Sequence, residues 1–177
     1  FEAIKHAEKH NVLLVHCSGN DSYNIDSEQK YPNDNDYINP IEISNNFINV
    51  GSVTKKLDST FVSDFSNYGK KNVDLFAPGE QIYVAMPNNK YDFDSGTSLS
   101  APMVSGTAAL IWLYYPKLTV QDVKKIILES GTSYDIDVLV PGGEGKKLPF
   151  KELSKSGKVL NVYNAMKIAK ETSKLKK

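Results

Sequence analysis

The sequence predicts an α/β domain built around a parallel sheet, and three observations carry that prediction. Short, continuously apolar runs such as VLLV at 12–15 are typical of strands that are covered on both faces of a parallel sheet. Segments with helical periodicity lie before and after these runs. The stretch 98–115 is apolar nearly all round, which is typical of a helix at the centre of a domain. Helices and strands that follow one another in this way favour a parallel sheet.

The first half of the chain contains one predicted helix, a long predicted loop and three predicted strands. In residues 2–10, Ala3, Ile4 and Ala7 share one helical face, and Asn11 is a suitable stop. Residues 21–46 are polar, rich in Asn and Asp and interrupted by two prolines, so they predict a long surface loop. The segments with the pattern of parallel strands are 12–15, 47–53 and 73–79.

Two further helices are predicted from their boundary residues. The helix at 98–115 ends at Pro116, and Pro102 is compatible with its first turn, where a missing N–H costs little. The run TVQD at 119–122 predicts a capping box at the start of the next helix, and Gly131 is its stop. Both helices carry enough apolar residues to lie against the sheet.

The remaining segments predict a hairpin, a loop and a last helix. QIYVAMP and KYDFDSG have the pattern of two hairpin arms around NNK. Residues 142–158 predict a loop, and a helix is expected to begin at Asn161. Residues 170–177 are basic and predict a frayed, solvated tail. We therefore expect a single domain unit over residues 1–177.

Composition and charge exclude several classes of protein. The chain has 177 residues, 40% of them hydrophobic and 24% charged, which suits one domain with a core or a large part of a bigger one. The 21 basic and 21 acidic residues cancel, so no overall field favours nucleic acid or an anionic membrane as a partner. No run of about 18 apolar residues exists, so we expect no membrane span. The single cysteine, Cys17, excludes an internal disulfide and a cysteine-based metal cluster.

Ser98 stands where the predicted hairpin meets the start of a buried helix. A helix N-terminus carries partial positive charge and free backbone N–H groups, which suit negative charge that develops nearby. Gly96 permits close backbone approach, and the small residues Ser100 and Ala101 leave room for a substrate chain. A nucleophilic serine needs these features. The alternative is a serine that only caps the helix, which is the commoner role of a serine at this position.

Two motifs extend this interpretation to a known family. SGTSLSAP, with Ser98 as its second serine, resembles the nucleophile motif of the subtilisin-like serine peptidases, Gly-Thr-Ser-x-small-x-Pro. VLLVHCSGND resembles the family's strand that ends in Ala-Ala-Gly-Asn, whose asparagine is Asn20 here. Further segments match in family order over nearly the whole chain, namely NFINVGSV, SDFSNYG, DLFAPG and GKVLNVYNAMKIA. The fold that this resemblance implies is the three-layer, parallel-sheet subtilisin-like fold.

The resemblance implies an endopeptidase that acts on peptide or protein substrates by acyl transfer. Ser98 would attack the peptide carbonyl, and the Asn20 amide with the Ser98 backbone N–H would hold the oxyanion. The residues that the resemblance places around the substrate are Ser18, Gly19, Gly96 and Thr97. Many members of the family are secreted or lie at the cell envelope, so the resemblance implies a secreted or cell-envelope location here.

The family's catalytic triad also requires an aspartate and a histidine, and both lie upstream of the asparagine and serine motifs in chain order. His6, His10 and His16 are not followed by glycine, as the family pattern requires. His16 lies within the first predicted strand and is interpreted as a core residue. The resemblance therefore covers only the C-terminal half of a catalytic domain.

If the chain is half of a catalytic domain, it requires the other half as a partner and is prone to self-association without it. The missing N-terminal half is the expected partner, and without it we expect no activity, because triad members act as a unit. The first predicted strand would lie at an apolar sheet edge, so we expect self-association through residues 1–20. The alternative function is a catalytically dead subtilisin-like fold that acts as a binding or scaffold module. A serine hydrolase of the α/β-hydrolase type is excluded, because its Gly-x-Ser-x-Gly motif is not present at 96–100.

Three weaker signals concern ligands. The family commonly binds calcium in loops, and NDND at 33–36 offers oxygen ligands, but it lacks the Gly and Glu of the twelve-residue calcium loop. A solvated acidic loop is therefore the preferred interpretation, and no metal ligands are assigned. GGEGKK at 142–147 lacks the glycine spacing and the Ser or Thr of a P-loop. Asp21 is either a turn residue or an acidic rim that favours a basic substrate side chain.

Overall fold

A mainly parallel sheet organises the part of the chain that the structure, a computed structural model, describes, namely residues 1–35 and 41–176. The helices are α1 Glu2–Lys9, α2 Thr97–Tyr114, α3 Val120–Ser130 and α4 Val162–Lys174. The strands are β1 Leu14–Cys17, β2 Phe47–Val53, β3 Leu75–Pro78, β4 Ile82–Met86, β5 Lys90–Asp94, β6 Thr132–Ser133, β7 Asp137–Leu139, β8 Lys147–Pro149 and β9 Lys158–Val159. The predicted α/β class is confirmed.

Five strands form the main sheet in the order β1-β2-β3-β9-β6. The pairs β1–β2, β2–β3 and β3–β9 are parallel, and β6 pairs with β9 in the antiparallel sense. Strand β1 lies at one edge, and each of its four residues is only partly buried. The expectation that residues 12–15 are covered on both faces is therefore not met in full, because Val12 is exposed and the residues of β1 are only partly buried. Strand β2, by contrast, is buried throughout.

Side chains of β2 and β3 alternate between two hydrophobic cores, as the period of a strand requires. Ile48 and Val50 of β2 pack with Ala77 of β3 in a core that α2, α3 and α4 complete. On the other side, Val53 and Phe76 pack in a second core with residues that follow β8. The sheet thus carries apolar packing on both faces, and α2 is pressed against β1, β2 and β3.

Several predicted boundaries agree with the structure. The Thr119 hydroxyl accepts a hydrogen bond from the Asp122 N–H, and the Asp122 carboxylate accepts one from the Thr119 N–H, which completes the predicted capping box. Gly131 is the C-cap of α3, and Asn161 caps α4 through its side chain. The predicted hairpin is present as β4 and β5, joined at residues 87–89. Local patterns therefore identified these ends correctly.

Three expectations require correction. Pro102 lies in the second turn of α2 rather than the first, because the helix begins at Thr97. The predicted loop 142–158 contains β8 and the start of β9, with a 3-10 turn at Phe150–Glu152 between them. The predicted frayed tail is helical as far as Lys174, where α4 packs on α3. Contacts with residues distant in the sequence order these short or basic segments, so their local sequence does not reveal that they are ordered.

The stretch considered for calcium is part of a buried charge cluster. Asn33, Asp34 and Asn35 are buried, whereas Asp36 lies outside the described residues. The Lys124 Nζ atom lies 3.9 Å from Asp34 Oδ2 and 3.8 Å from Glu42 Oε1. Because an ammonium group already faces the Asp34 carboxylate, the described residues do not fit a calcium site. Across the described ranges, no three His, Cys, Asp or Glu side chains come together in a way that could hold a metal ion.

Burial of these acids predicts an unusual dependence of stability on pH. Burial, reinforced by the charge of Asp74, raises the pKa of Asp34 to about 7, and burial also raises the pKa of Asp74. A raised pKa means that the folded state keeps its proton while the unfolded state has lost it. Folding stability from this source is therefore present below about pH 4, the unfolded pKa of Asp. It falls as pH rises towards 7.

We expect the urea midpoint of the protein to decrease between pH 4.5 and 7.5, and Asp34→Asn to flatten that decrease. The corresponding decrease in the free energy of unfolding should reach a few kcal/mol, because one pKa unit corresponds to about 1.4 kcal/mol. Circular dichroism at four pH values measures both midpoints. Asp135→Asn, an exposed carboxylate, is the matched control and should keep the wild-type slope. Equal slopes for wild type and Asp34→Asn would contradict the prediction.

Candidate active site

Ser98 is the second residue of α2, and its side chain is exposed at the start of that helix. Gly96 occupies the N-cap position, and no side chain caps the helix. The alternative that Ser98 merely caps α2 is therefore wrong. Among the described residues, no hydrogen bond partner holds the Ser98 hydroxyl, which leaves it available to a substrate.

Asn20 follows β1 and is joined to α2 by two hydrogen bonds from one residue. Its Oδ1 atom accepts from the Thr97 backbone N–H at 2.9 Å and from the Thr97 hydroxyl at 2.9 Å. The Thr97 Oγ1 atom in turn accepts from the Gly19 N–H at 3.2 Å. Because a backbone N–H can only donate, the carboxamide atom that faces Thr97 must be the oxygen. The Asn20 NH₂ group therefore points away from Thr97 and remains free to donate.

The freed NH₂ group and the serine converge on Gly96. A Cβ atom placed on Gly96 would lie 3.0 Å from Ser98 Oγ, 3.4 Å from Asn20 Nδ2 and 3.8 Å from the Ser98 backbone nitrogen. A side chain here would crowd the Ser98 hydroxyl, whereas the φ of 161° is that of extended backbone and does not favour glycine. One small volume is thus bordered by a hydroxyl and by two N–H donors. That is the arrangement needed to attack a carbonyl and to hold the oxyanion that results.

A second asparagine, Asn67, fixes the turn that carries Asn20. Its Oδ1 atom accepts from the backbone N–H groups of Asp21 and Tyr23 at 3.0 and 2.9 Å. Its Nδ2 atom donates to the Ser18 carbonyl at 2.9 Å. Asn67 is fully buried, so these bonds are shielded from water. Asn67 lies in SDFSNYG, one of the segments that match the family, but no local pattern reveals its role, because its partners lie 44 to 49 residues away.

Gly19 and Ser18 complete that turn in different ways. Gly19 has a φ of +103°, a left-handed conformation that favours glycine, and Asn67 packs against it. Ser18 is buried, and its hydroxyl donates to the Asn67 carbonyl at 3.1 Å. Both were expected to line the substrate site. The Ser18 side chain is turned into the protein, so only its backbone can face a substrate.

The start of α2 is anchored to the end of β3. The Gly96 N–H donates to the Gly79 carbonyl at 2.7 Å, and the Ser100 hydroxyl donates to the Ala77 carbonyl at 3.0 Å. A Cβ on Gly79 would lie 2.6 Å from Ser52 Oγ and would also collide with Ser100. The backbone that precedes Ser98 is therefore held by the sheet, which limits movement of the hydroxyl relative to its two donors.

Neither a base nor an acidic partner reaches Ser98 within the described residues. His6 and His10 are exposed on α1, where the His10 ring contacts the His6 carbonyl. His16 lies in β1 beside Phe47, and burial lowers the pKa of its imidazole. Within residues 1–35 and 41–176, no hydrogen bond joins a histidine ring to the serine. These positions agree with the expectation that none of the three histidines is the triad base.

Asp21 is a turn residue whose charge is already compensated. Its Oδ2 atom accepts from Asn67 Nδ2 at 3.3 Å and lies 3.2 Å from Lys30 Nζ. The hydrogen bond from Asn67, followed by that from Lys30, lowers the pKa of Asp21. An acid that is already paired has little free charge for a substrate. Of the two interpretations left open for Asp21, these contacts favour the turn.

Comparison with known proteins gives a consistent picture. The family model for subtilases, peptidase family S8, matches residues 1–161. The major intracellular serine protease of Bacillus subtilis is 42% identical over 115 residues, which cover 64% of this chain and 32% of that protein. The cell wall-associated protease of the same species is 34% identical over 134 residues, covering 76% of this chain and 13% of that protein.

A solved structure agrees with these sequence relatives. The prenylagaramide maturation protease PagA superposes with a TM-score of 0.66 at 26% identity, over 94% of this chain and 54% of that one. The chain thus spans about half of that structure, and it covers 32% and 13% of the lengths of the two Bacillus relatives. No helix within the described ranges is both long and apolar enough to cross a membrane.

Proposed function

The chain belongs to the subtilase family, and from that premise we propose that it supplies the nucleophile and the oxyanion site of a serine endopeptidase. The single observation that carries the proposal is the convergence of Ser98 Oγ, Asn20 Nδ2 and the Ser98 N–H on the space beside Gly96. A helix-capping serine or a turn-forming asparagine has no need of that convergence. Its substrate is a peptide or protein chain, as for the serine proteases to which it is similar.

The proposed reaction is acyl transfer in two steps. Ser98 Oγ bonds to the carbonyl carbon of the substrate, its proton passes to a histidine, and the carbonyl oxygen takes the negative charge. Asn20 Nδ2 and the Ser98 N–H stabilise that oxyanion. When the tetrahedral species collapses, the C–N bond breaks and the amine leaves with the proton. Water, deprotonated by the same histidine, then releases the acid and restores Ser98.

The histidine and aspartate of this reaction are proposed to come from a half-domain that precedes these 177 residues. Three facts support this: no histidine bonds to Ser98 among the described residues, the chain spans 54% of the PagA structure, and its matched motifs are those of the family's second half. A serine without its base is a weak nucleophile. We therefore expect residues 1–177 alone to be inactive.

Two surfaces are proposed to receive that half-domain. One is the free edge of β1, which has backbone groups available for a further strand. The other is the face of α2 opposite the sheet, where Leu113 is 74% exposed and a Cβ on Gly106 would meet nothing within 4 Å. An 18-residue helix that is apolar nearly all round is expected to be covered on every side. Both surfaces adjoin elements that carry the candidate site.

Exposure of the same two surfaces predicts self-association of residues 1–177 when they are produced alone. Light scattering should show a mass above that of the 19.7 kDa monomer, together with strong binding of a dye for apolar surface. The polypeptide that carries the upstream half should be monodisperse and should bind less dye. A monodisperse 177-residue monomer with low dye binding would contradict this prediction.

A fluorophosphonate probe with intact-mass analysis tests the proposed function. Labelling of Ser98 only in the polypeptide with the upstream half is the expected result, and Ser98→Ala in that polypeptide should remain unlabelled. If neither form is labelled although both are folded, the peptidase proposal fails. A binding or scaffold module on the same fold would then be the better account.

A secreted or cell-envelope location is also proposed. The cell wall-associated relative supports it, whereas the intracellular relative shows that the family is not confined to that location. Fractionation of the native cells, followed by detection of this chain, tests the proposal. Recovery from the cytoplasm alone would contradict it.

A further inference from the structure

A cleft with a volume of about 630 Å³ lies beside the candidate active site. It is bounded on one side by the start of β4 and by Ser95, which is three residues before Ser98. The Gln81 N–H donates to the Ser95 hydroxyl at 3.0 Å, and this bond ties the two arms of the β4–β5 hairpin together at the cleft wall. The volume lies within the range of about 300 to 1,000 Å³ that is usual for ligand sites.

The opposite wall is the turn between β7 and β8, residues 140–146, which was predicted only as part of a loop. Two contacts hold this turn in place. The Leu139 N–H donates to the Ser59 carbonyl at 2.7 Å. Gly142 has a φ of +67°, and a Cβ on it would lie 2.9 Å from the Ser22 carbonyl oxygen. Ser22 is two residues after Asn20, so this wall of the cleft contacts the segment that carries Asn20.

The cleft carries unpaired negative charge. Asp64, Glu80 and Glu144 line it, and within the described part of the chain none of them forms an ion pair or a side-chain hydrogen bond. Lys56 is the cation among the lining residues, and it lies close enough to Asp58 to interact with that charge. The three acids outnumber Lys56 among the lining residues, so a positive group that entered the cleft would meet a net negative charge.

The position of the cleft indicates how a substrate would reach it. The three residues from Ser95 to Ser98 span at most about 10 Å of extended chain. A substrate whose scissile bond lies at Ser98 would therefore reach the cleft within about three residues of that bond. Asp21, the other acid near the site, is already paired with Lys30, so it offers less free charge than the cleft does.

We propose that this cleft binds a lysine or arginine side chain of the substrate polypeptide, at a position removed from the bond that Ser98 cleaves. The inference rests on the proposed peptidase function and adds to it a preference for basic substrate segments. The β7–β8 turn provides the far wall, and Asp64, Glu80 and Glu144 provide the charge. Each exposed pair contributes modestly, by a factor of about 1.4 to 5, so the three together are expected to give about a tenfold preference.

The test uses the polypeptide with the upstream half and a series of quenched-fluorescent peptides that differ only in the position of one lysine. A second series carries glutamine at the same positions. We expect kcat/KM to be about tenfold higher for lysine at one position within about three residues of the cleaved bond. The combined variant Asp64→Asn, Glu80→Gln, Glu144→Gln should remove that difference, and 0.5 M salt should reduce it. Glu28→Gln, an exposed acid outside the cleft, is the matched control.

Two readouts separate failure of this inference from failure of the proposed function. If the fluorophosphonate probe labels Ser98 but lysine confers no preference, or the preference survives in the combined variant, the cleft proposal is overturned and the peptidase proposal stands. If Ser98 is not labelled, fluorescence anisotropy measures binding of the same lysine peptides to wild type and to the combined variant. Binding that is about tenfold weaker in the variant supports the cleft, and equal binding overturns it.

Discussion

Replacing Ser98 with alanine, in the polypeptide that carries the upstream half-domain, is expected to lower kcat for peptide hydrolysis by about a millionfold. The magnitude is that measured for the nucleophile of subtilisin, a member of the same family, and it is carried over rather than derived. The physical reason is that no acyl-enzyme forms without the hydroxyl. Asn20 and the Ser98 N–H would remain to bind the oxyanion, so hydrolysis should still exceed the rate in water.

Burst and steady-state kinetics with one fluorogenic peptide measure this loss. Ser27→Ala is the matched control, because Ser27 is exposed, lies outside the candidate site and both proposed docking surfaces, and its hydroxyl bonds only to the Asn24 carbonyl at 3.0 Å. We expect that variant to retain activity within about twofold, as is usual for surface substitutions. A Ser98→Ala variant that kept more than about one hundredth of the wild-type rate would show that another residue is the nucleophile.

Replacing Asn20 with leucine is expected to lower kcat by about a hundred- to thousandfold, with KM changed by less than about threefold. This range, too, comes from the corresponding asparagine of subtilisin. Leucine is similar in volume and removes Nδ2, the donor that lies 3.4 Å from the Cβ position at Gly96. It also removes Oδ1, the acceptor for Thr97, so circular dichroism must show that the variant is folded. Because the oxyanion exists only in the transition state, the loss should appear in kcat rather than in KM. A rise in KM as large as the expected fall in kcat would identify Asn20 as a substrate-binding residue instead.

Substitutions of Thr97 test whether the orientation of the Asn20 side chain also affects the rate. Thr97→Val deletes the hydroxyl bond to Asn20 Oδ1 but keeps the backbone bond, so Asn20 should lose orientation without losing its donor. We expect kcat to fall by up to about tenfold, because a neutral hydrogen bond contributes about 0.5 to 1.5 kcal/mol and about 1.4 kcal/mol is a tenfold change in rate. Thr97→Ser restores the hydroxyl and should recover most of the rate. A valine variant with wild-type kcat would show that the backbone bond alone positions Asn20.

The fold was predictable wherever a local pattern determined an element. The capping box at Thr119 and the strand at 47–53 are examples, because each is encoded by adjacent residues. Strand β1 was expected to lie at a sheet edge and does so, but its side chains are only partly buried, which its apolar sequence does not indicate. Strands β7 and β8 were missed because they are three residues long and contain polar residues and a proline. Their register depends on contacts with distant segments such as Ser59.

In the candidate site, too, some residues were predictable from local motifs and others were not. Ser98 and Asn20 were identified from motifs, and their convergence at Gly96 supports the roles assigned to them. The orienting role of Thr97 and the organising role of Asn67 were not foreseen. Both act through hydrogen bonds across more than forty residues of sequence, and neither leaves a periodic or spaced pattern. The side chains that position the reactive groups are therefore identified from the structure and not from the sequence.

The bonds from Thr97 to Asn20 have a consequence for biosynthesis. They join residues 77 apart, so they form only after β1 and the start of α2 have been brought together. Contacts of such long separation are costly to form early, because the intervening chain must be ordered first. The Asn20 amide therefore has no fixed direction in a nascent chain that has not yet brought these two segments together. In the proposed peptidase, the oxyanion site would then be aligned only after the residues up to α2 have been synthesised.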